Sequence, residues 1–151
     1  SVFASFLGPD PTRHVFFHGH SYGGNPLACA VALASLDIFA EEKVIAGLPA
    51  KEAALDRGLA GLRARFPNHI AGIRRLGMVA GIDVVASPGI PFDPALAMGQ
   101  RICTAARAHG LLTRPILDTL EVMPPLAISC DEIDFLCNAL ANGLADALAA
   151  M

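Results

Sequence analysis

From Pro26 to about Glu42 the chain reads PLACAVALASLDIFAEE, a helical run that is Ala- and Leu-rich nearly all the way round, with charge only at Asp37, Glu41 and Glu42. A helix with no polar face has to be enclosed, so it belongs inside a larger assembly. It is also shorter than the roughly 20 apolar residues of a membrane span and carries Ser35 and Asp37, which makes it a buried helix of a soluble protein. Its start is written locally. Asn25 can accept from first-turn N–H groups, and Pro26 at the first helical position lacks the donor that would be orphaned there.

The residues before this helix, His18-Gly19-His20-Ser21-Tyr22-Gly23-Gly24, form a glycine-rich loop, and the β-branched and aromatic Val15 to Phe17 suit a strand leading into it. A strand, a glycine loop and a capped helix suit an anion, because unpaired N–H groups and the positive helix end point outward there, and Ser21 adds a hydroxyl donor. The same glycines also serve a tight strand-to-helix turn for steric reasons alone. His18 and His20 would share one face of a strand, as a metal site might require, but no third ligand is in view and no metal is expected.

After residue 46 the character changes, which sets the expected boundary between a segment 1–46 and a domain 47–151. A second helix is expected from Pro49 to about Phe66, with Leu55, Leu59 and Leu62 on one face. Ile70 to Val85 is glycine-punctuated and β-branched and fits two strands bent at Gly77 or an antiparallel hairpin. Asp93-Pro94 repeats the cap-and-proline start of a helix that runs to about His109, with Gly110 placed as its left-handed cap. Leu111 to Arg114 and Leu120 to Met123 read as strands about a turn at Asp118-Thr119. Ser129 and Glu132 have capping-box spacing, and Ile133, Leu136, Leu140, Leu144 and Leu148 stripe the last helix. The fold class is therefore α/β.

Of the 151 residues, 54% are apolar and 17% charged, far from the composition of a disordered chain. A net charge of −3 with no Lys/Arg run argues against nucleic acid or an anionic membrane as partner. The four cysteines have neither zinc nor C-x-x-C spacing and read as reduced thiols of a cytoplasmic protein. The N-terminal residues lack a basic region and are broken by Pro9, Asp10 and Pro11, unlike a signal peptide.

The run FFHGHSYGGNPLACAVALASLDIF resembles the class III pyridoxal-phosphate (PLP) aminotransferases, and RRLGMVAGIDV, GLLTRP and VMPPLAIS follow in the order that family shows. The resemblance covers essentially the whole chain, and its wording leans toward the branch that converts 8-amino-7-oxononanoate to 7,8-diaminononanoate in biotin biosynthesis. It implies the C-terminal part of a fold-type I transferase. Residues 1–46 would end the large PLP-binding domain, and 47–151 would form a small α/β domain with a mostly antiparallel sheet packed by helices. It also implies a homodimer in which the loop reaches the partner subunit's cofactor. Ser21 would then hold the phosphate with His20 contributing main chain, and Gly19 would lie against the substrate. The family often has Thr at the position of Ser21 or Gly23, and serine keeps the donor.

Arg114 matches, by the same resemblance, the arginine that pairs with the substrate carboxylate. A guanidinium offers two parallel donors in a plane and so fixes orientation as well as place. On its own spacing Arg114 reads more readily as a solvated strand-end arginine. Transamination also needs a lysine amine to bind the cofactor and shuttle a proton. Only Lys43 and Lys51 exist here, both among glutamates. The resemblance places that lysine and the aspartate of the pyridine nitrogen upstream of Ser1, so the chain is expected to be an inactive C-terminal piece. Two other readings stay open: a class III enzyme for ornithine, a diamine or a β-amino acid, and a non-catalytic α/β binding or oligomerisation module. The amino donor, S-adenosylmethionine or lysine, is not legible.

Overall fold

The computed structural model describes residues 2–10, 14 and 18–151. The expected strand at Val15 to Phe17 lies outside the described residues. The chain divides into two compact units at Ala40 and Glu41.

The first unit holds a short 3-10 turn, Phe3–Phe6, and helix α1, Pro26–Glu41. Its cap is the one expected. Asn25 Oδ1 accepts from the Leu27 and Ala28 N–H groups at 3.0 and 3.1 Å. No residue of α1 is buried, and Leu27 is 79% exposed. The helix therefore forms as expected, with its apolar residues exposed among the described ones.

The second unit is built on a four-stranded antiparallel sheet of β1 (Ile70–Leu76), β2 (Val79–Val84), β3 (Pro115–Ile116) and β4 (Thr119–Val122), in the order β1-β2-β4-β3. The β1–β2 hairpin turns at Gly77-Met78, one of the two forms expected for Ile70 to Val85. Helices α2 (Val44–Arg65), α3 (Met98–Ala106) and α4 (Cys130–Ala149) supply the rest of the core. Strand alternation puts Ala80, Ile82, Val84, Leu120 and Val122 inward, where they meet Leu55 and Leu59 of α2, Ile102 of α3 and Ile133, Leu140 and Leu144 of α4. Burial alone stabilises each such large side chain by about 1.5–3 kcal/mol.

Two helix starts differ from expectation. Helix α2 begins at Val44, five residues before the Pro49 that was expected to open it, so Pro49 lies inside the helix. A proline there cannot bond the Ile45 carbonyl, and with Ile45 63% exposed, water can take that place. The helix expected from Asp93 to His109 is interrupted. Asp93 caps only a 3-10 turn, Pro94–Leu96, through Ala95 N–H at 2.9 Å; the backbone then turns left-handed at Ala97, and α3 starts afresh. Its far end is as expected, with Gly110 left-handed (φ +84°) after the 3-10 turn Arg107–His109.

Helix α4 carries the capping box in full. Ser129 N–H donates to Glu132 Oε2 at 2.7 Å, and Ser129 Oγ accepts from Glu132 N–H at 3.2 Å. The Ser129 backbone donor, joined by its hydroxyl, holds the Glu132 carboxyl below its ordinary range. All four cysteines are free thiols, and burial pushes Cys103 and Cys137 up to about 11. Among the described residues no helix is long and apolar enough to cross a membrane.

Candidate functional site

The loop before α1 is tightly turned and open. Gly23 N–H donates to His20 O at 2.9 Å, Asn25 N–H donates to Tyr22 O at 3.1 Å, and Gly24 adopts a φ of +75°. All residues from His18 to Gly24 are exposed. The His18 and His20 rings meet edge to face, their centroids 5.3 Å apart. Among the described residues no group of three or more His, Cys, Asp or Glu is placed to hold a metal.

The donors for an anion are narrower than the bare sequence suggests, because Asn25 already takes the first free N–H groups of α1. What remains is the loop itself. The Ser21 hydroxyl and the N–H groups of His20, Ser21 and Tyr22 have no partner among the described residues, and a side chain at Gly19 would meet nothing within 4 Å. Such a donor set, beside a helix N-terminus, suits an anion such as a phosphate group.

Arg114 belongs to the second unit. It precedes β3, not the end of the strand expected at Leu111 to Arg114, and is held across the hairpin by Glu121. Its Nε lies 2.9 Å from Glu121 Oε2, and its carbonyl accepts from Glu121 N–H at 3.2 Å. The Arg114 side chain is 77% exposed and that of Glu121 27%. Both line a cleft of about 390 Å³ with Arg107, Leu112, Thr113 and Met123. Gly19, His20 and Ser21 thus share one loop of the first unit, while Arg114 has an ion-pair partner that the sequence reading did not name.

Of the two lysines, Lys43 is exposed as expected, and Lys51 is the one that has a hydrogen-bond partner among the described residues. Lys43 is the left-handed residue (φ +50°) that precedes α2. Lys51 is partly buried and donates to Leu126 O at 2.5 Å, which ties α2 to the segment before α4. The other close ion pairs are structural. Arg75 grips both oxygens of Asp56 and reaches Glu52, joining β1 to α2. Arg74 pairs with both oxygens of Asp83 on the neighbouring strand, and Thr119 Oγ1 donates to Asp83 at 2.7 Å. The Arg74 hydrogen bonds, with a further one from Thr119, hold the Asp83 carboxyl below the usual carboxylate range against the opposing effect of partial burial.

An antiparallel sheet packed by helices places the second unit in the α/β class. The chain belongs to the class III aminotransferases, whose family model matches residues 3–144. That class has fold-type I architecture and works with pyridoxal phosphate.

The chain is 41% identical over 145 residues to the adenosylmethionine-8-amino-7-oxononanoate aminotransferase of Geobacter sulfurreducens, a match covering 95% of this chain and 32% of that protein. The crystal structure of the enzyme of the same name from Methanocaldococcus jannaschii superposes with a TM-score of 0.83 at 31% identity, over 96% of this chain and 33% of that one. A PLP-bound amine transaminase from an uncultivated Pseudomonas species superposes at 0.79 with 34% identity, over 89% of this chain and 31% of that one. The chain therefore spans about a third of the length of these relatives.

Proposed function

We propose that these residues work within a PLP-dependent aminotransferase that converts 8-amino-7-oxononanoate to 7,8-diaminononanoate in biotin synthesis. The observation that supports it best is the 41% identity to the Geobacter enzyme across 95% of the chain. In this reading residues 1–46 end the PLP-binding domain and 47–151 are the small C-terminal domain. The amino donor is S-adenosylmethionine, as in the name of that relative. The enzyme is a homodimer in which the exposed loop from His18 to Gly24 reaches the partner subunit's cofactor.

When bound, PLP acts as the electron sink that lets the carbon bearing the amino group lose a proton. Ser21 donates its hydroxyl to the cofactor phosphate, with the His20 and neighbouring main chain beside it. Gly19 presents no side chain to the substrate. Arg114 receives the substrate carboxylate on its planar donors and fixes the distance from that end to the reacting carbon. In this reading the amine that moves the proton is supplied by neither Lys43 nor Lys51; the bond from Lys51 to the Leu126 carbonyl supports this for Lys51. The 151 residues alone are accordingly inactive.

The test is a transamination assay on the complete polypeptide that carries these residues, with 8-amino-7-oxononanoate and S-adenosylmethionine, lysine or no donor, and with ornithine as a competing substrate. Formation of 7,8-diaminononanoate only when S-adenosylmethionine is present is the expected result. Preference for ornithine would move the enzyme to another branch of the class, and turnover by the isolated 151 residues would refute the division of labour.

A further inference from the structure

The cleft that holds Arg114 contains a second charged side chain whose position bears on how that arginine can act. A guanidinium can meet a carboxylate along its side edge, through Nε and one terminal nitrogen, or along its end, through both terminal nitrogens. Glu121 Oε2 engages Nε, and the terminal nitrogens Nη1 and Nη2 have no partner among the described residues. The side edge is taken. The end remains.

Glu121 is the better anchored of the two. Its side chain is 27% exposed against 77% for Arg114. Its main chain is fixed on one side by donation to Arg114 O at 3.2 Å and on the other by acceptance from Thr113 Oγ1 at 2.7 Å. It also sits in register with Gly81 of β2. An arginine as exposed as Arg114 would otherwise sample many rotamers, and a carboxylate binding it would have to stop that motion. A fixed partner at Nε removes the motion beforehand.

The charges in the cleft are compatible with this. Arg107 lines it together with Arg114 and Glu121, so two guanidinium groups face one carboxylate and an incoming anion still meets an excess of positive charge. Glu121 nevertheless competes with that anion for Arg114. It therefore orients the arginine at some expense in attraction.

The geometry points to Glu121 as a positioning residue that holds Arg114 by its side edge and leaves its terminal edge for the substrate carboxylate. This inference rests on the reading of Arg114 as the carboxylate-binding arginine.

The experiment compares Glu121→Gln, Glu121→Ala and Arg114→Ala in the complete holoenzyme, measuring KM and kcat for the carboxylate substrate and for its decarboxylated analogue. Gln keeps an acceptor at Nε and removes the competing charge, so its carboxylate KM equals the wild-type value or falls below it. Ala releases the guanidinium, and its carboxylate KM exceeds that of the Gln variant by about tenfold, the scale of one charge-assisted hydrogen bond, with kcat little changed. The analogue is unaffected by either change. Because the readout is a ratio of two KM values on one preparation, partial unfolding does not move it. Equal ratios in the Gln and Ala variants, with Arg114→Ala abolishing the preference for the carboxylate, would overturn the role of Glu121 alone. An Arg114→Ala variant that keeps the preference would remove the reading of Arg114 on which it stands.

Discussion

Replacing Gly99 by alanine should unsettle the hairpin that carries Arg114, and the size of the effect follows from what surrounds that glycine. Gly99 is the second residue of α3, and its N–H donates to Asp118 Oδ1 at 2.8 Å. A Cβ built there would run into the Leu117 carbonyl oxygen and would lie 2.9 Å from Pro115 Cβ and 3.2 Å from Asp118 Cα. Carbon atoms rest at about 3.5–4 Å, so the turn would have to back away from the helix by roughly 0.5–1 Å. Forcing a methyl group into such a contact costs about 1–3 kcal/mol, and weakening a charge-assisted hydrogen bond adds about 1 kcal/mol. Alanine recovers about 1 kcal/mol at most through its helix propensity. The net loss is about 2 kcal/mol, or roughly 8 °C in melting temperature for a unit of this size.

Thermal unfolding of the 151-residue chain, followed by circular dichroism, measures this directly. Asp118→Ala should destabilise by a smaller amount, since it breaks the same hydrogen bond without the steric conflict. If Gly99→Ala melts within about 1 °C of the parent, the approach of α3 to the turn is not tight and the reasoning fails, since 1 °C is well below the shift that about 2 kcal/mol produces.

Leu117 should respond in the opposite direction. Its φ is +54° and its side chain is 90% exposed, so Leu117→Gly relieves a left-handed backbone without uncovering any core. A gain of about 0.5–1 kcal/mol is expected after the greater unfolded-state freedom of glycine is counted, seen as a higher urea midpoint. An unchanged or lower midpoint would count against it. Asp83, whose carboxyl is held below the usual range chiefly by Arg74, contributes stability above its unfolded pKa that is lost as pH falls through its folded pKa. Asp83→Asn should therefore be less stable than the parent at neutral pH and show a flatter loss toward acid. The effect is small because Arg74 is 66% exposed. Parallel stability curves from pH 7 down to about pH 3, below the ordinary carboxylate range, would contradict this assignment.

Local signals in this chain were read correctly where the partner of a residue is only two or three positions away. Asn25 and Ser129 cap the helices they were expected to cap, and Gly110 closes the end of α3, because each bonds groups within its own turn. The start of α3 was misread for the opposite reason. Asp93 satisfies a cap only as far as Ala95, and at the start of α3 the Gly99 N–H donates to Asp118, nineteen residues beyond it. No periodicity or capping rule contains that contact. The apolar circumference of α1 was equally legible, and Leu27, Val31 and Leu36 on it are exposed.

The charge partner of Arg114 depended on a single residue of register. A turn at Asp118-Thr119 would set Arg114 opposite Met123, an apolar neighbour that leaves the guanidinium free. The turn falls at Leu117-Asp118, so Ile116 pairs with Thr119, Pro115 with Leu120, and Arg114 comes opposite Glu121. Moving a turn by one position changes the cross-strand partner by two, which keeps the same face of the strand but exchanges a methionine for a carboxylate. This turn puts a leucine at positive φ, and with it Asp118 accepts from Gly99 N–H at the start of α3. Gly99 leaves room for the close approach of that turn, which holds the hairpin register that sets Glu121 opposite Arg114.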